Sequence, residues 1–198
     1  MFLGILLAGV WGYLVGAVPT GVIVARLRKG TDVRHHGSGH TGGTNVARVA
    51  GARAGVITIL VDGLLGVAAV AIAELVTHNV WAAAVAGVMA VVGHDWSIYI
   101  GFDGGIGLAK LTGAMVALGP IRAFATLAAV TLLWLCFTRL LHFHRARSTI
   151  LAMLTVGPLL WLMGALPPAV LLGALGGAMV IIKTIPDRNR EYEQKSDA

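Results

Sequence analysis

Long apolar runs separated by short polar, glycine-rich or basic connectors set the pattern of this chain. Phe2 to Ala25 is uncharged over about 24 residues, enough for a helix to cross a hydrocarbon core of roughly 30 Å, and Arg26, Arg28, Lys29 and Arg34 follow at once. Ala54 to Val76 is a second run, with Asp62 in its interior and Glu74 near its end. A carboxylate at that depth is expensive and faces a partner or a cavity. Thr77 to Asn79 reads as a short external turn, and Val80 to Val92 begins a third span that closes on Gly93-His94-Asp95-Trp96. Leu108 to Leu118 would be roughly 17 Å long as a helix, too short to cross, and predicts a short fourth helix packed inside the protein. Gly119-Pro120 breaks it. Ile121 to Thr138, Thr149 to Gly164 and Pro168 to Ile182 read as spans five, six and seven, and a polar tail starts at Lys183. The pattern predicts one all-α membrane domain over residues 1–198, with seven transmembrane helices and a cytoplasmic tail over 183–198.

Charge orients the spans. Of the 15 Lys and Arg, only Arg122 falls on the outer side if the N-terminus is outside and the C-terminus cytoplasmic, which satisfies the positive-inside bias. Hydrophobic residues make up 57% and charged residues 12%, against about 25% charged in soluble domains. The net charge of +6 would suit nucleic acid, but the basic residues sit on connectors and no nucleic-acid motif is present, so anionic headgroups are the expected partner. Met1 is followed by no basic segment or cleavage pattern, so the first run is read as retained. Cys136 lies in an apolar run and has no second cysteine to pair with. No internal repeat is visible.

Candidate chemistry lies in three connectors. Gly37 to Arg53, GSGHTGGTNVARVAGAR, reads as a glycine-dense basic loop that can converge backbone N–H groups, hydroxyls and guanidinium forks on an anion. Gly101 to Gly107, GFDGGIG, is a second glycine cluster on the same side, and Arg139 to Ser148 a third connector. The candidate anion site comprises Ser38, Thr44, Asn45 and Arg48, the backbone at Gly104, Gly105 and Gly107, and Ser148 with Arg145 or Arg147. Loops whose arginines only set topology are the competing reading. No cofactor or metal is expected: His94 lacks paired ligand spacing, and His35, His36, His40, His142 and His144 have no accompanying carboxylate pattern. Trp11, Trp81, Trp96, Trp134 and Trp161 read as anchors or packing residues. Such donors at a membrane mouth suit a substrate with a phosphate in water and an acyl tail in lipid.

At these residues the chain resembles the PlsY family of bacterial acyl-phosphate:glycerol-3-phosphate acyltransferases, over nearly its whole length. GYLVGAVPTG from Gly12 is similar to the family's GYLLGSIPFG, and Asp32-Val33-Arg34, GSGHTGGTNVAR and GARAG to its DIR, GSGNxGATNVLR and GKKAG. Asp62 matches the Asp of DxxKG, and Gly93-His94 with GFDGGIG is similar to GHxxPxFxxFKGGKG. The resemblance implies a seven-helix inner-membrane enzyme that moves a fatty acyl group from acyl phosphate to the 1-hydroxyl of glycerol 3-phosphate, without a covalent enzyme intermediate. His40, Asp62 and His94 are then candidate supports of the site. The chain departs from the pattern at His40 (Asn in the family), Leu65 (Lys), Ser97 (Pro), and Asp103 and Ile106 (both Lys), and Asp187-Arg188-Asn189-Arg190 is at best a remnant of the C-terminal HRxNIxRLxxGxE. Replacing a phosphate-facing Lys by Asp changes an attraction into a repulsion, on the order of 4 kcal/mol each way at about 4 Å. Lys110, about one helical turn after Ile106, is a candidate replacement ammonium; an interfacial lysine on a helix end is the alternative.

Three functions follow: a divergent acyltransferase using acyl phosphate and a phosphorylated polyol amid membrane lipids; a non-catalytic paralogue that binds lipid or a protein partner in envelope biosynthesis; or a small transporter, weakened by the lack of an inverted repeat.

Overall fold

In the computed structural model, which describes residues 2–190, the first apolar run is two helices rather than one. Helix α1 (Phe2–Gly16) stops ahead of Pro19, and α2 (Thr20–Lys29) restarts after it. Proline supplies no backbone N–H and pushes its predecessor out of the helical region. The connector expected to be loop throughout Gly37 to Arg53 is instead half helical, because α3 (Gly43–Ala50) forms there and buries Asn45, Val46 and Ala50. The hydrophobic spacing of TNVARVA is sufficient for a short amphipathic helix once it has a surface to pack on.

Helix α4 (Ala52–Thr77) follows after Gly51, and α5 (Val80–Asp95) is capped by Asn79, whose Oδ1 accepts from Trp81 N at 2.9 Å. The short helix α6 (Leu108–Leu118) has the expected bounds. Helix α7 (Pro120–Leu135) runs into a wide π turn over Cys136–Leu140. The sixth expected span is broken into α8 (Arg145–Leu154) and α9 (Val156–Leu162). Pro158 cannot donate to the carbonyl of Leu154, one turn earlier, and so releases the ladder at the break. Helix α10 (Pro167–Thr184) completes the bundle, followed by a 3₁₀ turn at Ile185–Asp187. Residues 191–198 of the expected polar tail lie outside the described residues.

Five segments are long and apolar enough to cross a membrane: Phe2–Lys29, Ala52–Thr77, Val80–Ile100, Pro120–Leu140 and Pro167–Asp187. The pattern of seven thus resolves, among the described residues, into these five, the short α6 and the broken α8–α9 pair. Leu60, Leu64, Leu75, Ile121, Leu132 and Trp161 are exposed on the outside, as a hydrocarbon solvent allows. Val70, Val91, Leu111, Leu172 and Val180 are buried within.

Close backbone contact holds the bundle where lipid gives no hydrophobic drive between helices. Gly12 and Gly16 of α1 lie so near the Ala86 and Ala90 carbonyls of α5 that neither could carry a side chain. Helices α4 and α6 meet in the same way at Gly66, which lies against the Lys110 carbonyl, and at Gly113, which lies against the Gly63 carbonyl. This apposition brings the interior of α4 against Lys110.

Candidate active site

The two glycine-rich connectors are tied to each other. Asp32 accepts from Arg34 Nε at 3.0 Å and Nη2 at 2.8 Å, and from Arg26 Nη2 at 2.8 Å. Its carboxyl is held well below the usual carboxylate range, chiefly by the Arg34 hydrogen bond, against opposing burial. The same pairing pushes the Arg34 guanidinium up. So oriented, Arg34 reaches with Nη1 to the Ile100 carbonyl, 2.9 Å away at the head of the second connector. Ser97 Oγ donates to Ala17 O at 2.5 Å and Tyr13 Oη to Trp96 O at 2.8 Å, anchoring that connector on the α1 end as well.

Asn45 is the keystone of the first connector. Its Nδ2 donates to the carbonyls of Val33 (3.1 Å), His36 (2.9 Å) and His40 (2.9 Å), while Oδ1 accepts from Ser38 N at 3.0 Å. A buried amide with both ends occupied shapes a loop. Ser38 is buried beside it, whereas Thr44 and Arg48 of α3 are exposed. Gly104, Gly105 and Gly107 are buried against the last turn of α5: Gly105 N donates to His94 O at 3.0 Å, and a Cβ on Gly105 would collide with His94 Nε2. The Gly105 amide is therefore engaged by α5.

Lys110 does not sit on an open face. It is fully buried, and its Nζ donates to Asp62 Oδ1 at 2.7 Å. His94 Nδ1 stands 3.8 Å from the same oxygen. Asp62 thereby has the partner its depth demanded.

The segment after α10, read from the sequence as at best a remnant of the family's C-terminal motif, packs against the first connector. His40 Nε2 meets Asp187 Oδ2 at 2.5 Å, and Arg190 Nη1 donates to Ser38 O at 3.4 Å. On its other side, Arg147 Nη2 donates to Asn189 Oδ1 at 2.6 Å and His144 Nε2 contacts Arg190 O at 3.1 Å. Asp187 to Arg190 thus strap the first connector to the start of α8. There Ser148 is wholly buried, and its hydroxyl has no hydrogen-bond partner among the described residues. Asp95 was missed: it is wholly buried with both carboxylate oxygens unpartnered among the described residues. Lys183 Nζ lies 5.5 Å from the Trp96 ring centroid, next to it in sequence. Among the described residues no cluster of three metal-ligating side chains occurs.

A family model for glycerol-3-phosphate acyltransferase matches residues 6–193. The chain belongs to the glycerol-3-phosphate acyltransferase family. The acyltransferase of Synechococcus sp. (strain JA-3-3Ab) is 39% identical over 180 residues, 91% of this chain and 86% of the relative. That of Agrobacterium fabrum (strain C58 / ATCC 33970) is 37% identical over 172 residues, 85% and 80% of the two chains. The crystal structure of PlsY (YgiH), an integral membrane glycerol 3-phosphate acyltransferase, in its glycerol 3-phosphate form is similar at a TM-score of 0.79 and 29% identity, covering 94% of this chain and 90% of that one. Its lysophosphatidic acid form is similar at a TM-score of 0.76 and 27% identity. This family member is accordingly a multi-pass membrane acyltransferase of phospholipid synthesis, and the non-catalytic and transporter readings are not favoured.

Proposed function

We propose that the chain moves a fatty acyl group from acyl phosphate to the 1-hydroxyl of glycerol 3-phosphate at the cytoplasmic face of a bacterial inner membrane. In this reading the N-terminus is outside, the C-terminus is cytoplasmic, and seven helical segments lie in the membrane, two of them short or broken. Acyl phosphate and glycerol 3-phosphate are dianionic at one end, so the site must supply fixed donors. Ser38, Thr44, Arg48 and Ser148 supply hydroxyls and a guanidinium, and the amides of Gly104 and Gly107 supply backbone N–H groups. Asn45, His40 and Gly105 hold those donors in place.

The acceptor oxygen attacks the acyl carbonyl carbon, the bond from that carbon to the phosphate oxygen breaks, and the hydroxyl proton leaves with the departing phosphate. No electron donor and no enzyme-bound acyl group are needed. Holding both reactants in one cleft is itself worth several orders of magnitude in rate.

The observation that carries this reading is the Arg34–Ile100 hydrogen bond at 2.9 Å, which joins the two connectors that would share the phosphates. The test is turnover of purified protein with acyl phosphate and glycerol 3-phosphate, read by mass spectrometry. Lysophosphatidic acid and inorganic phosphate are the expected products in equal amounts. No acyl product with glycerol 3-phosphate or other phosphorylated polyols would overturn the reading.

A further inference from the structure

Three titratable side chains from three helices converge inside the bundle: Asp62 of α4, His94 of α5 and Lys110 of α6. Asp62 and Lys110 are 1% and 0% exposed, and His94 is 6% exposed. Breaking a buried ion pair leaves an uncompensated charge, so Lys110 and Asp62 are bound to remain together. One oxygen, Asp62 Oδ1, faces both partners, Lys110 Nζ at 2.7 Å and His94 Nδ1 at 3.8 Å. The longer distance exceeds a hydrogen bond, yet a carboxylate on that side of the ring favours the tautomer with its proton on Nδ1.

The opposite ring nitrogen is the one that matters. Nε2 abuts Gly105, where no Cβ would fit, and the His94 carbonyl takes the Gly105 amide at 3.0 Å. His94 therefore touches the second glycine connector with both its ring and its backbone. With the proton on Nδ1, Nε2 presents a lone pair toward that connector.

We propose that the Lys110–Asp62 pair is a positioning device: it fixes the His94 imidazole as the Nδ1–H tautomer, and His94 in turn holds Gly104 to Gly107 in the conformation that receives phosphate. Lys110 contributes from within the protein, neutralising Asp62, rather than by contacting substrate. The role in phosphate binding rests on the acyltransferase reading; the tautomer does not.

Two measurements test it. In protein carrying ¹⁵N-histidine, the His94 signals, assigned by their loss in His94→Gln, should show Nδ1 protonated and Nε2 bare near neutral pH. A proton on Nε2 overturns the proposal whether or not the protein turns over. The second measurement is kinetic and uses Asp62→Asn combined with Lys110→Met, which removes both charges without stranding either. Thermal unfolding should stay close to that of the parent, while kcat/KM for glycerol 3-phosphate falls at least about tenfold, mainly through KM. Parent-like kinetics in a folded double variant would make the pair purely structural and overturn the proposal. If the double variant does not fold, the tautomer decides. If the parent gives no acyl product, the acyltransferase reading fails while the tautomer still tests the relay.

Discussion

His40 and Asp187 stand 147 residues apart in sequence and 2.5 Å apart in space, joining the first glycine-rich connector to the segment that follows the last helix. Asp187 is almost fully buried there. Removing the carboxylate in Asp187→Ala leaves His40 without its partner and leaves Arg190, through Ser38 O, to hold the strap on the first connector. The expected cost is about 1.5–3 kcal/mol of stability, the range for hydrogen bonds to charged groups, with lower acyl transfer. A thermal unfolding midpoint unchanged from the parent would show that the strap carries no load.

Asn45 serves four backbone groups at once. In Asn45→Ala the Ser38 amide and three carbonyls lose their side-chain partner together. A loss of about 2–3 kcal/mol is expected, from the desolvation cost of buried groups left unpaired. Denaturant unfolding measures the loss, and faster hydrogen exchange at the Ser38 amide would locate it.

Gly105 has no room for a methyl group against the His94 ring. Gly105→Ala must move either the ring or the connector, at about 1–3 kcal/mol for overpacking. Activity should drop more than stability does, because the displaced backbone is the proposed phosphate cradle. Melting curves alongside the acyl-transfer assay separate the two effects.

Asp32 gives the fold a dependence on acid. Its carboxyl is depressed from the ordinary 3.8 by the hydrogen bond from Arg34, with Arg26 adding to it. A carboxyl with a lowered folded value stabilises fully above its unfolded value and loses that contribution as pH falls through the folded one. Parent and Asp32→Asn should therefore differ in unfolding midpoint by a nearly constant amount from about pH 6 down to about pH 4, and converge only as pH falls well below about 4 toward the depressed folded value. A difference that persists undiminished as pH falls to about 2 would assign the pair's contribution to packing instead of charge.

The membrane character, the all-helical class and the short helix Leu108–Leu118 are written in the order of apolar and polar residues. Periodicity and run length are local properties that survive into any fold. So is the glycine and hydroxyl content of the connectors, which pointed to phosphate before any contact was known. Breaks inside the helices were less legible, although Pro19 and Pro158 signal them: hydropathy averages over a proline, and the hydrogen-bond ladder does not.

Partners across the bundle were not legible at all. Lys110 looked like an ammonium offered to substrate, and only the apposition of Gly66 and Gly113 with the neighbouring helix puts it on Asp62. Asn45 looked like a phosphate ligand, and the folded connector spends its amide on four backbone groups. Asp187 and Arg190 looked like a remnant, and the return of α10 sets them on His40 and Ser38. The chain by itself determines which residues are able to carry charge and donate hydrogen bonds, because that is composition. Which of them meet each other, and which are left for a ligand, depends on close backbone approach between helices far apart in sequence, and that only the tertiary structure decides.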